Sequence, residues 1–146
     1  MILRPATAAD AGAVADIDFA AKRAALPFIR WAHSPEEVRA WLADVMIAEG
    51  KLVLAEDGGV ALGYMGLDED WVDLLYIHPD HWRRGVGARL IGHAKAQSPT
   101  LLRLWCFQRN DAARAFYARQ GFVADTFTDG ADNEEKEPDV LFVWRG

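Results

Sequence analysis

The run from Leu74 to Ile91, LLYIHPDHWRRGVGARLI, constrains this chain more than any other stretch. It sets an apolar strand-like segment against a turn, a glycine-spaced basic loop and the opening turns of a helix. Gly85 and Gly87 allow the backbone to approach a ligand with its N–H groups exposed, and the helix that follows aims its positive end at the same place. A Gly-x-Gly pair after a strand can also serve only as a tight turn. Arg83 and Arg84, directly before the glycines, add charge-assisted donors, so Arg83, Arg84, Gly85, Val86, Gly87 and Ala88 read together as an anion cradle. The Gly-x-x-x-x-Gly-Lys-Ser/Thr pattern of a nucleotide triphosphatase is absent from this loop.

A second segment reads NDAARAFYARQGF, from Asn110 to Phe122, with the cap, body and terminal glycine of a short helix. It follows a strand-like run, Leu101–Phe107. With both segments in this order and separation, the chain resembles the GCN5-related N-acetyltransferase (GNAT) family. There the first segment corresponds to the Gln/Arg-x-x-Gly-x-Gly/Ala pyrophosphate loop, and the second to an Asn-x-x-Ala-x-x-Phe-Tyr-x-x-x-Gly-Phe signature. Trp82 departs from the pattern, standing where the family usually has Gln or Arg. The backbone donors of the loop are unaffected by that change.

The resemblance implies a mixed, mostly antiparallel sheet flanked by helices, with two parallel strands splayed at the coenzyme site. It implies acetyl coenzyme A as co-substrate, no metal, and transfer of acetyl to a primary amine of a small molecule or an exposed peptide. A coenzyme A binding or sensing module without turnover is the alternative. Main chain at Leu75, Tyr76 and Ile77 would hold the pantetheine and thioester, because splayed strands leave backbone groups without ladder partners. The Arg83–Ala88 loop would hold the pyrophosphate. Tyr117 matches a tyrosine that often serves as general acid, and a phenol can donate a hydrogen bond without ionising. As a residue it can equally be a packing aromatic beside Phe116. Asn110 is either a coenzyme contact or a helix cap. For the base, some relatives carry a carboxylate on the strand before the loop. Asp73 is the candidate here, on the same alternating face as Leu75 and Ile77, where desolvation would raise its pKa; a solvated acid or a water-mediated route without one base stays open.

The rest of the chain fits an α/β domain spanning residues 1–146. Thr7–Asp10 opens a helix continued by Val14, Ile17 and Ala21. Ser34-Pro35-Glu36-Glu37 opens another, whose apolar face is Val38, Trp41, Leu42, Val45 and Met46 and whose end is Gly50. Strands are expected at Lys51–Glu56, Val60–Leu67 and Trp71–Ile77, joined by turns short enough for antiparallel hairpins. A helix over about Val86–Ala96 then returns the chain to Leu101–Phe107, which makes those flanking strands parallel. After the Asn110 helix come strands near Phe122–Phe127 and Val140–Trp144.

At 146 residues and 51% hydrophobic content the chain can bury a substantial core. No secretory leader and no apolar run of ~20 residues is evident, so a cytoplasmic protein off the membrane is expected. Cys106 lies within an apolar run and reads as a buried thiol. His78, Asp80 and His81 form a turn, without the further ligands a metal needs. Between Asp125 and Asp139 stand seven acids and one base, a net −6 equal to that of the whole chain. The remainder is neutral overall, which disfavours nucleic acid as a partner. This acidic run is either a solvated loop or part of the acceptor site; Glu134 and Glu135, with Phe28 and Trp31 of the aromatic segment before Ser34, are the acceptor-binding candidates. A homodimer is compatible with this reading.

Overall fold

The computed structural model describes residues 1–146. Its strands are β1 (Ile2–Pro5), β2 (Leu52–Asp57), β3 (Val60–Asp68), β4 (Trp71–Ile77), β5 (Leu101–Phe107), β6 (Val123–Phe127) and β7 (Asp139–Arg145). Helices are α1 (Ala11–Ala25), α2 (Pro35–Trp41), α3 (Val86–Gln97) and α4 (Asp111–Arg119). One seven-stranded sheet runs in the order β1-β2-β3-β4-β5-β7-β6. All neighbours are antiparallel except β4 and β5. The strand runs and the crossover helix therefore fold as their patterning predicts.

Two apolar layers cover the sheet. On one side Leu90 and Ile91 of α3 pack with Met65, Val72, Leu102, Leu104 and Phe142. On the other, Val14 and Ile17 of α1 and Leu42 and Met46 join Leu52, Leu54 and Tyr64. Leu90 and Ile91 are fully buried, so truncating either to alanine should cost about 2–5 kcal/mol.

The second helix departs from the expected face. Ser34 caps it as predicted, accepting from the Glu37 N–H at 3.1 Å while Glu37 Oε1 accepts from the Ser34 N–H at 3.0 Å. After Trp41, however, the chain winds as a π-helical turn, Leu42–Ile47. The wider turn shifts the side-chain phase. Leu42, Met46 and Ile47 face inward, whereas Trp41 and Val45 are exposed.

Candidate active site

β4 and β5 are joined at one end and open at the other. Trp71 opposite Arg103 is their one paired position, backed by a hydrogen bond from the Arg103 N–H to the Asp70 carbonyl at 2.8 Å. The Arg103 side chain fastens this end, with its guanidinium 4.3 Å from the Trp71 ring centre and 2.8 Å from the Asp70 carboxylate. Beyond it, Leu75, Tyr76 and Ile77 pair with β3 but not with β5, while β5 continues along β7 as far as Phe107. The sheet thus presents a wedge whose β4 wall has backbone groups free on one side.

At the open end the chain turns into the basic loop. Trp82 fills a role of its own there. Its indole N–H donates to the Ile77 carbonyl at 2.8 Å, so the aromatic ring pins the strand-to-loop corner. Arg83 (φ 64°) and Gly85 (φ 77°) both adopt left-handed backbone, an alternation that turns successive N–H groups into one concavity. Gly85 is the N-cap of α3 and has no side chain to cap it. The first N–H bonded along the helix is that of Arg89, to the Gly85 carbonyl at 3.1 Å. The N–H groups of Val86, Gly87 and Ala88 are consequently directed out of the helix end. A Cβ on Gly85 would meet no atom within 4 Å; glycine is needed there for backbone conformation and for the space in front of the loop. Gly87 is different. A Cβ there would stand 3.1 Å from the Phe116 ring, so its bareness serves packing of α3 on α4. Arg84 leans on His81, nitrogen to nitrogen at 2.7 Å, and His78 Nδ1 accepts from the Asp80 N–H.

Tyr117 lies on α4, buried in the core on the α3 side of the sheet. Its ring lies among Phe116, Phe122 and Phe142, with centres 5.3, 5.7 and 5.9 Å away. Burial, with Cys106 adding to it, pushes the phenol well above its ordinary pKa. The hydroxyl is nevertheless not a sealed, unsatisfied polar atom, although it has no partner within the chain. Tyr76 approaches from the other face of the sheet. Its phenol too is pushed far up by burial, with Asp18, Tyr117, Glu135 and Cys106 as its charged or titratable neighbours. Cys106 is buried and held as a thiol, its pKa pushed up to about 12. Asn110 caps α4, its side-chain oxygen accepting from the Ala113 N–H at 3.2 Å; that oxygen is committed to the cap.

Three loop contacts roof the far side. Trp31 meets Phe107 edge-on at 6.1 Å. Phe28 lies under the Arg109 guanidinium at 4.1 Å, and Arg109 in turn holds Glu137 through two hydrogen bonds of 2.7 and 2.6 Å. His33 meets Glu134 at 3.1 Å. The acidic segment is therefore built rather than merely solvated. Asn133 donates to the Glu137 carbonyl at 2.7 Å and to Asp139 at 3.2 Å, and the Thr128 hydroxyl bonds Asp139. Phe28, Trp31 and Glu134 make these contacts, and the Glu135 carboxylate is one of the charges that raise the Tyr76 pKa.

Asp73 is placed elsewhere. The β3–β4 register passes from Gly66 opposite Leu74 to Leu67 opposite Val72, which leaves Asp73 as the extra residue of a β-bulge. A bulge resets the alternation, and Val72 takes the core place beside Leu75 and Ile77 that simple alternation gives to Asp73. Asp73 is exposed. Desolvation and then Asp68 raise its pKa, opposed by Lys51; its electrostatic neighbours lie outside the Tyr76–Tyr117 group.

Sequence reasoning missed Asp18 and Lys22. Asp18 is 4% exposed on the inner face of α1, between Val14, Ile17 and Ala21. It accepts a hydrogen bond from the Tyr64 hydroxyl and pairs with Lys22 at 2.8 Å. An acid on an otherwise apolar helical stripe, with a lysine four residues on, is the signal that could have found them.

The acetyltransferase (GNAT) family model matches residues 18–122, which holds both the basic loop and the Tyr117 helix. The chain belongs to this family. A mycothiol acetyltransferase of Parafrankia sp. is 34% identical over 126 residues, 82% of this chain and 38% of that protein. A probable N-acetyltransferase of Mycobacterium tuberculosis is 34% identical over 85 residues, 51% of this chain and 49% of the other. The match thus spans half or less of the length of these two relatives. The solution structure of apo YjaB from Escherichia coli superposes with a TM-score of 0.82 at 23% identity, covering 100% of this chain and 99% of that one. No helix is long and apolar enough to cross a membrane.

Proposed function

We propose that this chain transfers an acetyl group from acetyl coenzyme A to a primary amine of a small molecule or an exposed peptide, and that residues 1–146 form one cytoplasmic catalytic domain. The observation that carries this reading is the wedge between β4 and β5. It has unpaired strand backbone on one wall and an uncapped helix end at its mouth, and the Tyr117 phenol acts electrostatically on Tyr76 of that wall.

The residues present fit the coenzyme. Backbone at Leu75 and Tyr76 and the Ile77 N–H, its carbonyl being held by Trp82, would bond the amides of the pantetheine arm and the thioester oxygen, opposing the negative charge that develops there on attack. N–H groups from Gly85 to Ala88, with Arg83 and Arg84, would hold the pyrophosphate. Asn110, its oxygen used in the cap, has its amide N–H bonds left for the coenzyme. When bound, acetyl coenzyme A supplies the activated acyl group and a thiolate leaving group.

Tyr117 would hydrogen-bond or protonate that leaving sulfur. Its raised pKa keeps the proton on the phenol across the working pH range, which suits hydrogen-bond donation to the sulfur more than full proton transfer. The acceptor must lose a proton before it attacks; Glu135, whose charge acts on Tyr76, would receive that proton through water in preference to Asp73 on its bulge. Phe28, Trp31 and Glu134 would frame the amine's entry.

The test combines melting with turnover. Acetyl coenzyme A should raise the melting temperature, and a panel of primary amines should include one that releases free coenzyme A. A melting temperature unmoved by saturating acetyl coenzyme A would overturn the reading. A clear shift without turnover on any amine would instead favour a coenzyme A binding or sensing module.

A further inference from the structure

We infer that Lys22 is a specificity-determining residue of the acceptor site, selecting an amine that also bears a carboxylate, so that the acceptor is a free amino acid rather than a lysine within a protein. This rests on the acetyl-transfer reading above and goes further by naming the chemistry of the acceptor.

Lys22 is held between a carboxylate and two aromatic rings. Its side chain is 16% exposed, and Nζ lies 2.8 Å from Asp18 Oδ1. The same ammonium stands 4.6 Å from the Trp31 ring centre and 5.4 Å from that of Tyr76. An ammonium carries three N–H donors. Asp18 can take one, and aromatic faces attract the charge without giving it an oxygen acceptor. Both Asp18 oxygens are already engaged, one by Lys22 and the other by the Tyr64 hydroxyl. The carboxylate therefore fixes the lysine in place and leaves donor capacity on the ammonium.

The location makes that capacity relevant. Tyr76 belongs to the β4 wall of the wedge, and Trp31 reaches across to Phe107 at the end of β5. Lys22 thus lines the acceptor side of the opening, one aromatic ring away from the backbone that would hold the thioester. Glu135 of the acidic loop is among the charges that raise the Tyr76 pKa. A fixed cation and a carboxylate that both act on Tyr76 complement a zwitterion.

The experiment uses matched probes: glycine, phenylalanine and lysine, each beside its own carboxamide, with coenzyme A release followed at saturating acetyl coenzyme A. In at least one pair the wild-type protein should prefer the free carboxylate by about tenfold or more in kcat/KM. Lys22→Met should bring that ratio to within about twofold of one, and Lys22→Arg should retain part of the preference. Because Lys22→Met strands a buried carboxylate, the double variant Asp18→Asn with Lys22→Met serves where the single one does not fold. Amides used as well as acids by the wild-type protein in every pair would overturn the inference. So would a preference that survives loss of Lys22, or the absence of turnover on all six probes. In that last case the acetyl coenzyme A melting shift shows separately whether the coenzyme site stands.

Discussion

A Cβ on Gly87 would stand 3.1 Å from the Phe116 ring, so the two sequence signatures of this chain touch each other. The basic loop carries one and the tyrosine helix the other. Their contact means that α3, which presents the anion-binding N–H groups, is registered against α4, which presents Tyr117. Gly87→Ala should therefore destabilise the fold by about 1–3 kcal/mol through overpacking. Shortening the partner in Phe116→Leu should recover much of that loss in a double-mutant cycle, read by urea denaturation. Additive losses would show that the two residues do not constrain one another.

Gly85 should behave differently. Its left-handed φ of 77° disfavours a β-branched side chain, and the space before it is open. At ~100 times its dissociation constant a ligand adds about 2.7 kcal/mol to stability. Gly85→Val should abolish that increment for acetyl coenzyme A, whereas Gly87→Ala should keep a measurable part of it. Equal ligand-induced melting shifts in Gly85→Val and the wild-type protein would remove the loop from the coenzyme site.

Tyr117→Phe deletes one hydroxyl that has no partner within the chain. The aromatic cluster with Phe116, Phe122 and Phe142 should hold, so melting temperature and acetyl coenzyme A affinity should stay close to wild type. Turnover should fall by roughly 10²- to 10⁴-fold if proton donation limits the rate. The raised pKa of Tyr117 adds a second expectation. An acid is lost only when pH passes its folded pKa, so the alkaline limb of the kcat profile should not report Tyr117 below the ordinary tyrosine range. Wild-type turnover in the variant would return Tyr117 to a packing role.

Much of this arrangement is legible in the sequence because it depends on local signals. The strands follow period-two patterning, the α2 cap follows Ser34 and Glu37, and the paired motifs locate the wedge. What the sequence conceals depends on phase or on distant partners. The π-helical turn at Leu42–Ile47 swaps Val45 for Ile47 on the inner face, and the bulge at Asp73 moves Val72 into the core. Neither irregularity has a composition of its own. Asn133 looks like a surface residue until the loop closes and its amide holds Glu137 and Asp139. Likewise Asp18 acquires its meaning only when β3 brings Tyr64 beside it.

His33 offers a pH readout of the roof. Its hydrogen bond to Glu134, more than the weaker contact with Glu37, raises its pKa above the ordinary histidine value. A raised folded pKa means that the contact's stabilisation is fully present below the unfolded value of about 6.5 and is lost as pH climbs through the folded one. The His33 ring should accordingly titrate above about 6.5 by NMR, and Glu134→Gln should lower the midpoint. An unchanged midpoint in the variant would show that the two side chains do not meet in solution.

The two adjacent glutamates should then separate by function. Glu134 is engaged by His33 on the roof, whereas Glu135 makes no such contact and its charge acts on the Tyr76 phenol. If the acidic loop draws a protonated amine toward the wedge, its effect is one of steering and local attraction. Both weaken as salt screens exposed charge over about 8 Å at physiological ionic strength. Neutralising both, as Glu134→Gln with Glu135→Gln, should raise the amine's KM, flatten its salt dependence and leave the acetyl coenzyme A melting shift in place. Of the single variants, Glu135→Gln should carry the larger share of the KM change and, because it would also relay the amine's proton, a fall in kcat. Glu134→Gln should act chiefly through the His33 contact. Identical amine kinetics and salt dependence in the double variant would establish that these carboxylates only organise the loop.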